Sequence, residues 1–191
     1  MEPSFQSMET LVETVVDVLR PWLQDPKPWA CFGYSMGALV GFAVLRKLRE
    51  EGLPLPVHFF PAACRAPHFP NPNAMFHGLP DNDLIEELRR FGGTPDEVLD
   101  NAELMELILP TMRADLAVCE LYRYQEKAPL PVPITAFGGE QDPDIVTEGI
   151  HGWQQHTSES FKAHLFNGGH LFLEEYEPAI WRVLQETLAP Q

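Results

Sequence analysis

Trp29-Ala30-Cys31-Phe32-Gly33-Tyr34-Ser35-Met36-Gly37-Ala38 is the stretch whose reading decides the fold. Its first four residues form a short apolar run that reads as a buried strand. Gly33 to Gly37 reads as a turn and matches the pattern G-x-S-x-G. Ala38 to Leu45 is almost wholly small or apolar and reads as a buried helix. Arg46, Lys47 and Arg49 follow toward its C-terminal end, where the helix dipole favours cations. Gly52 and Pro54 stop it. A strand, a tight turn carrying serine and then a helix is the context a nucleophile elbow requires. Side chains at 33 and 37 would collide with neighbouring backbone, and glycine avoids this. The serine is left at a helix N-terminus, whose partial positive charge favours an oxyanion. Those five residues alone would equally fit a glycine-rich turn with no chemistry, so the residues around them must decide.

Upstream, Met8, Leu11, Val15, Val18, Leu19 and Trp22 fall on one face of a helix over residues 8–22, ended by Asp25-Pro26 and Pro28. Downstream, Val57-His58-Phe59-Phe60 reads as a second strand, and Cys64 to Pro80, rich in Pro and Asn, as a loop. Residues 81–127 hold a block of helices with no strand between them. Leu84, Leu88 and Phe91 make one stripe. Thr94-Pro95-Asp96-Glu97 reads as a capping box that starts a new helix. Pro110-Thr111 is expected to break that helix, and Met112, Leu116 and Cys119 mark a third. Ile134 to Phe137 is a strand ended by Gly138-Gly139. A helix over about 145–156, a strand over 161–166 nearer the sheet edge and a last helix over about 174–188 complete the chain. Strands alternating with helices predict an α/β fold, a mostly parallel sheet covered on both faces. The expectation is one domain over residues 1–191, with the block at 81–127 inserted as a helical lid.

A serine hydroxyl is a weak nucleophile without a base within hydrogen-bond reach. His170 is the candidate base. It follows Asn167-Gly168-Gly169, directly after a strand and just before the final helix, at the carboxyl end of the sheet. The other six histidines lack such placement and read as loop or core residues. The third member must be a carboxylate after a strand, between Ser35 and His170. Gly138-Gly139-Glu140-Gln141-Asp142-Pro143-Asp144 supplies three. Asp142 is preferred on its spacing from the strand end, with Asp144 as its rival and Glu140 behind. Ser, then Asp, then His is the chain order of α/β-hydrolases.

Composition narrows the partners. The formal net charge is −15, from 28 acidic and 13 basic side chains. Such a surface repels phosphate backbones, so nucleic acid is not expected as a partner. The clusters Arg46, Lys47, Arg49 and Arg89, Arg90 read as solvated helix faces. No apolar run reaches the length of a membrane span, and the N-terminal residues do not pattern as a signal peptide. Cys31, Cys64 and Cys119 are odd in number and far apart, which reads as free thiols in a reducing cytoplasm. Neither a metal nor another cofactor is expected: no H-E-x-x-H occurs, and His151 and His156 would point from different faces of a helix.

The whole chain resembles the type II thioesterases, the editing hydrolases of polyketide and nonribosomal peptide (antibiotic) biosynthesis. The resemblance is carried by Phe32-Gly33-Tyr34-Ser35-Met36-Gly37-Ala38, Cys64-Arg65-Ala66-Pro67-His68 and Leu88-Arg89-Arg90-Phe91-Gly92-Gly93-Thr94-Pro95. Leu109-Pro110-Thr111-Met112-Arg113-Ala114-Asp115, Phe137-Gly138-Gly139-Glu140-Gln141-Asp142 and Gly168-Gly169-His170-Leu171-Phe172-Leu173 carry it further. It implies an α/β-hydrolase fold, a triad at Ser35, Asp142 and His170, and hydrolysis of acyl thioesters on the phosphopantetheine arm of an acyl-loaded carrier protein. It implies also that the helical block covers the acyl chain and helps dock the carrier. Family members begin with a further strand–helix unit, whose first loop gives one N–H to the oxyanion hole. The expectation here is therefore an N-terminally truncated fold in which the Met36 N–H is the remaining donor, with an exposed edge on the strand at 29–32. A carboxylesterase and an inactive remnant that only binds a carrier domain are the competing expectations.

Overall fold

The computed structural model describes residues 4–70 and 75–189. Four strands, β1 (Ala30–Tyr34), β2 (His58–Ala62), β3 (Ile134–Gly139) and β4 (Phe161–Phe166), form one sheet in the order β1-β2-β3-β4, every pair parallel. Around it run α1 (Met8–Leu19), α2 (Met36–Glu50), α3 (Asp81–Phe91), α4 (Asp96–Leu99), α5 (Ala102–Glu120), α6 (Thr147–His151) and α7 (Phe172–Leu188). Every residue of β2 and β3 is buried, as expected of central strands covered on both faces. β1 and β4 are the edges among the described residues, and Phe32 on β1 is 40% exposed.

Three apolar clusters divide the molecule. On one face of the sheet, Val12 and Val16 of α1, Phe42, Leu45 and Leu48 of α2, Phe59, Ile134 and Trp153 pack together. On the other face, Phe172 and Ile180 of α7 pack against Phe60, Ala62 and Phe137. The third lies apart from both and belongs to the segment between β2 and β3. There Phe76, Leu84, Leu99, Met105 and Leu109 bury one another. That segment thus carries a small core of its own.

Several expectations need correction. α1 ends at Leu19 and buries Met8, Val12 and Val16, while Val18 and Trp22, expected on the core face, are exposed. The strand read as buried from its apolar run is an edge strand among the described residues, with Ala30 and Phe32 exposed, because apolar composition alone does not distinguish an edge from a centre. α5 does not break at Pro110-Thr111 but runs through Pro110 as one helix of 19 residues. Met105 and Leu109 before the proline and Ala114, Ala117 and Val118 after it are all buried, so packing on both sides outweighs the lost hydrogen bond. Thr94 does not cap a helix through its side chain. α4 starts at Asp96 with Pro95 at the cap position, and no side chain closes it. The helix expected over 145–156 is a short α6 followed by a tighter 3-10 turn, Gly152–His156. Arg46 does not sit on a solvated face. It is 7% exposed, lies over the rings of Phe42 and Tyr124, and donates from Nη2 to the Gln125 carbonyl. With Arg49 donating to the carbonyls of Ala128 and Pro129, it ties the link between α5 and β3 down onto α2.

Candidate active site

All three functional loops leave the carboxyl ends of strands of one sheet, β1, β3 and β4, where a parallel sheet gathers its turns. The β1–α2 turn holds Ser35 at φ 52°, ψ −119°, a left-handed conformation that costs a non-glycine residue about 1–3 kcal/mol. Two neighbours enforce it. Ser35 N–H donates to the Ala62 carbonyl at 2.8 Å, pinning the turn to β2. A Cβ on Gly33 would stand 2.3 Å from the Gly37 carbonyl oxygen, so the turn closes this tightly only over glycine at 33. At Gly37, against expectation, a Cβ would meet nothing within 4 Å, because it points away from the turn. Met36 then opens α2, a helix of 15 residues whose N-terminal N–H groups point toward the serine side.

Ser35 Oγ lies 2.9 Å from His170 Nε2, and His170 Nδ1 lies 2.7 Å from Asp142 Oδ2. The structure thus joins Ser35, His170 and Asp142 in one hydrogen-bonded series. Of the carboxylates left open in the 138–144 stretch, Asp142 is the one on the imidazole. Its side chain is 1% exposed, and its second oxygen, Oδ1, accepts from the Asp144 N–H at 3.0 Å. Asp144 instead faces Arg90 of α3. The acid and base loops meet because residue 139 is glycine. A Cβ there would stand 2.4 Å from both the Gly168 and Gly169 carbonyl oxygens, while Gln141 N–H donates to the Gly168 carbonyl at 2.9 Å.

Some site residues were invisible to sequence reasoning. Tyr34, the variable residue before the serine, donates its hydroxyl to the His170 carbonyl and so holds the base loop from below. Burial pushes that phenol up to about 12, which keeps it a donor at neutral pH. The G-x-S-x-G pattern leaves its position open, so nothing in the sequence singled it out.

Ser35 and His170 open onto a cavity of about 630 Å³, a volume suited to a small organic ligand. Leu39, Phe69, Leu88, Phe91, Met112 and Leu116 give it apolar walls, and α3 and α5 form much of its roof. Arg65 and His68, from the stretch Cys64-Arg65-Ala66-Pro67-His68, also line it. That stretch packs closely on α6 and the following turn, because Gly149 and Gly152 leave room for Arg65, Ala66 and His68. His68 Nδ1 lies 2.8 Å from Nε2 of the buried His156.

Cys64 and Cys119 stand in the same wall as free cysteines. Burial pushes the Cys64 thiol up to about 12 and Cys119 up to about 11, so both stay protonated and weakly nucleophilic at neutral pH. Among the described residues no group of three or more His, Cys, Asp or Glu is placed to hold a metal ion. No helix among them is long and apolar enough to cross a membrane.

Comparison with known proteins finds a family model described as a thioesterase domain matching residues 1–188. A protein named linear gramicidin dehydrogenase LgrE, from Brevibacillus parabrevis, is 39% identical over 191 residues, 98% of this chain and 72% of that one. The solved structure of RedJ, a thioesterase from the prodiginine biosynthetic pathway in Streptomyces coelicolor, superposes with a TM-score of 0.88 at 35% identity, covering 98% of this chain and 70% of that one. BorB, a type II thioesterase from the borrelidin biosynthetic cluster, does so with a TM-score of 0.85 at 32% identity, over 97% and 74% of the two chains.

Proposed function

Because the chain belongs to the type II thioesterase family of α/β-hydrolases, we propose that it hydrolyses acyl thioesters carried on the phosphopantetheine arm of carrier proteins, with Ser35, His170 and Asp142 as catalytic residues. The observation that carries this reading is the unbroken series from Ser35 Oγ through His170 to Asp142, opening onto an apolar cavity.

The order of the hydrogen bonds assigns the protons. With Asp142 Oδ2 accepting from His170 Nδ1–H, Nε2 is the acceptor facing the serine hydroxyl. His170 therefore draws the Oγ proton as the serine attacks the thioester carbonyl. The carbonyl oxygen becomes an oxyanion. The Met36 N–H, at the head of α2, is the donor the elbow offers it. The tetrahedral intermediate collapses, the C–S bond breaks, and His170 returns its proton to the leaving thiol. Water then enters, gives a proton to His170 and attacks the acyl-serine. The second tetrahedral intermediate collapses, the acyl–Oγ bond breaks, His170 returns its proton to Ser35 Oγ, and the acid leaves. Asp142 orients the ring and stabilises the imidazolium in both halves without becoming protonated itself. The helices at 81–120 act as a lid over the acyl group; α3 and the first half of α5 share a small core, and Val118 anchors the end of α5 in the main core.

The word dehydrogenase in the Brevibacillus relative's name does not carry over. A dinucleotide-binding turn needs a glycine at the second G of G-x-G-x-x-G, so that a pyrophosphate can approach the backbone. Gly33-Tyr34-Ser35-Met36-Gly37-Ala38 has Ser35 at that point.

The test is turnover of an acyl-carrier-protein or acyl-pantetheine thioester, with Ser35→Ala as control and the fold checked by circular dichroism. The reading expects turnover that drops on the order of 10⁶-fold in the variant. Oxygen esters turned over faster than thioesters would make it a carboxylesterase instead. Folded protein without Ser35-dependent turnover would refute hydrolysis and leave carrier binding alone.

A further inference from the structure

We infer that Arg90 is a positioning residue for the acid–base pair, reaching it from the helical segment through Asp144. This rests on the catalytic reading of Ser35, His170 and Asp142 given above.

The Asp142 carboxylate is held from two sides: Oδ2 by His170 Nδ1 at 2.7 Å, and Oδ1 by the Asp144 N–H at 3.0 Å. The direction of Asp142 therefore depends on where the backbone at 144 sits. The Asp144 side chain is 12% exposed and faces α3. There the Arg90 guanidinium meets it end-on, Nη1 to Oδ2 and Nη2 to Oδ1, each at 3.5 Å. Arg90 is itself oriented. Its Nε donates to Glu87 at 2.8 Å, and its guanidinium lies 4.6 Å from the centroid of the Phe91 ring. Phe91 packs edge-on against Phe76 in the separate core of the helical segment and lines the cavity. The guanidinium is thus fixed to the helical segment and pairs with the acid turn.

A second contact falls at the same helix end. α3 stops at Gly92-Gly93, both with positive φ, and there the backbone comes against Leu171. A Cβ built on Gly93 would stand 3.4 Å from a Leu171 methyl carbon. Leu171 follows His170. One helix end therefore touches the turn that carries the acid and the residue beside the base. Seating α3 over the cavity fixes both loops at once, and lifting it for substrate entry releases them. Closure thereby completes the catalytic arrangement. An ion pair half open to water adds little to global stability, so its effect belongs in the site's geometry.

The experiment measures kcat and KM for a thioester in wild type, Arg90→Ala, Arg90→Lys, Asp144→Ala and the double alanine variant. Amide exchange at Asp144 and urea unfolding midpoints are recorded for each folded protein. The expected result is a fall of about tenfold in kcat for Arg90→Ala, partial rescue by lysine, and a double variant no worse than Asp144→Ala. Asp144 N–H exchange in Arg90→Ala should rise about tenfold with the unfolding midpoint unchanged. A kcat within twofold of wild type in Arg90→Ala, or fully additive losses in the double variant, would overturn the inference. Wild type without Ser35-dependent turnover would refute the catalytic reading instead. The exchange comparison would then decide alone whether Arg90 holds the acid turn, and unchanged exchange at Asp144 would reject it.

Discussion

Ser35 is held in backbone strain by its neighbours, and the strain has a measurable consequence. At φ 52°, ψ −119°, any residue with a Cβ is disfavoured, whereas glycine adopts this region freely. Ser35→Gly should therefore be more stable than Ser35→Ala by about 1 kcal/mol, after the extra chain entropy of glycine is subtracted. Both should be inactive. Paired urea melts check this, and equal stabilities would mean that the turn carries no strain. Gly139 makes the complementary case. Gly139→Ala would press a methyl group into the Gly168 and Gly169 carbonyls and force the acid and base loops apart. Thioester turnover should fall by about 10²-fold, with circular dichroism still showing a folded protein. Serine and histidine were legible in the sequence because each follows a strand and meets a glycine turn. Between the two aspartates, spacing from the strand end favoured Asp142 but left Asp144 open, since carboxylates two residues apart differ mainly in how the turn aims them.

At the scale of elements, the order of strands and helices was legible throughout, because buried strands and amphipathic helices differ in period. The misreadings cluster where local chemistry and tertiary packing disagree. Pro110 reads as a stop, yet α5 continues through it because both flanks bury apolar side chains in shared clusters. Arg46 reads as surface because it neighbours Lys47 and Arg49, while its burial depends on Tyr124 and Gln125, far along the chain. Proline within a helix interior costs about 3 kcal/mol relative to alanine when nothing relieves it. α5 recovers part of that by packing, so Pro110→Ala should raise stability by about 1–2 kcal/mol. A higher urea midpoint with an unchanged slope is the expected signature. An unchanged or lower midpoint would show that the helix needs the local geometry the proline imposes.

At the scale of the whole molecule, two buried imidazoles tie stability to pH. His58 lies among aromatic rings and bonds Thr135 Oγ1 through Nε2 at 2.9 Å, and burial followed by the nearby Lys162 pushes it down to about 4. His156 is likewise pushed down to about 4 by burial, then by His68 and Arg46. Unfolded, both would titrate near 6.5. Between pH 6.5 and 4 the unfolded chain therefore binds more protons than the folded one. Stability falls as pH drops through that window, levels off below it, and does not vary with pH through these two groups above it. The net charge of −15 works the other way, because protonating carboxylates relieves repulsion within the fold. A wild-type pH profile alone would mix the two effects. Comparison with a His58→Gln, His156→Gln double variant separates them, since the surface carboxylates are common to both proteins. The variant should be less stable at pH 7, where the buried contacts are lost. Its unfolding midpoint should nonetheless decline less steeply than that of the wild type from pH 6.5 to 4, and the two curves should run parallel above pH 7. Parallel curves through the acid window would mean that both imidazoles titrate alike in the folded and unfolded chain, and that water reaches them inside the fold.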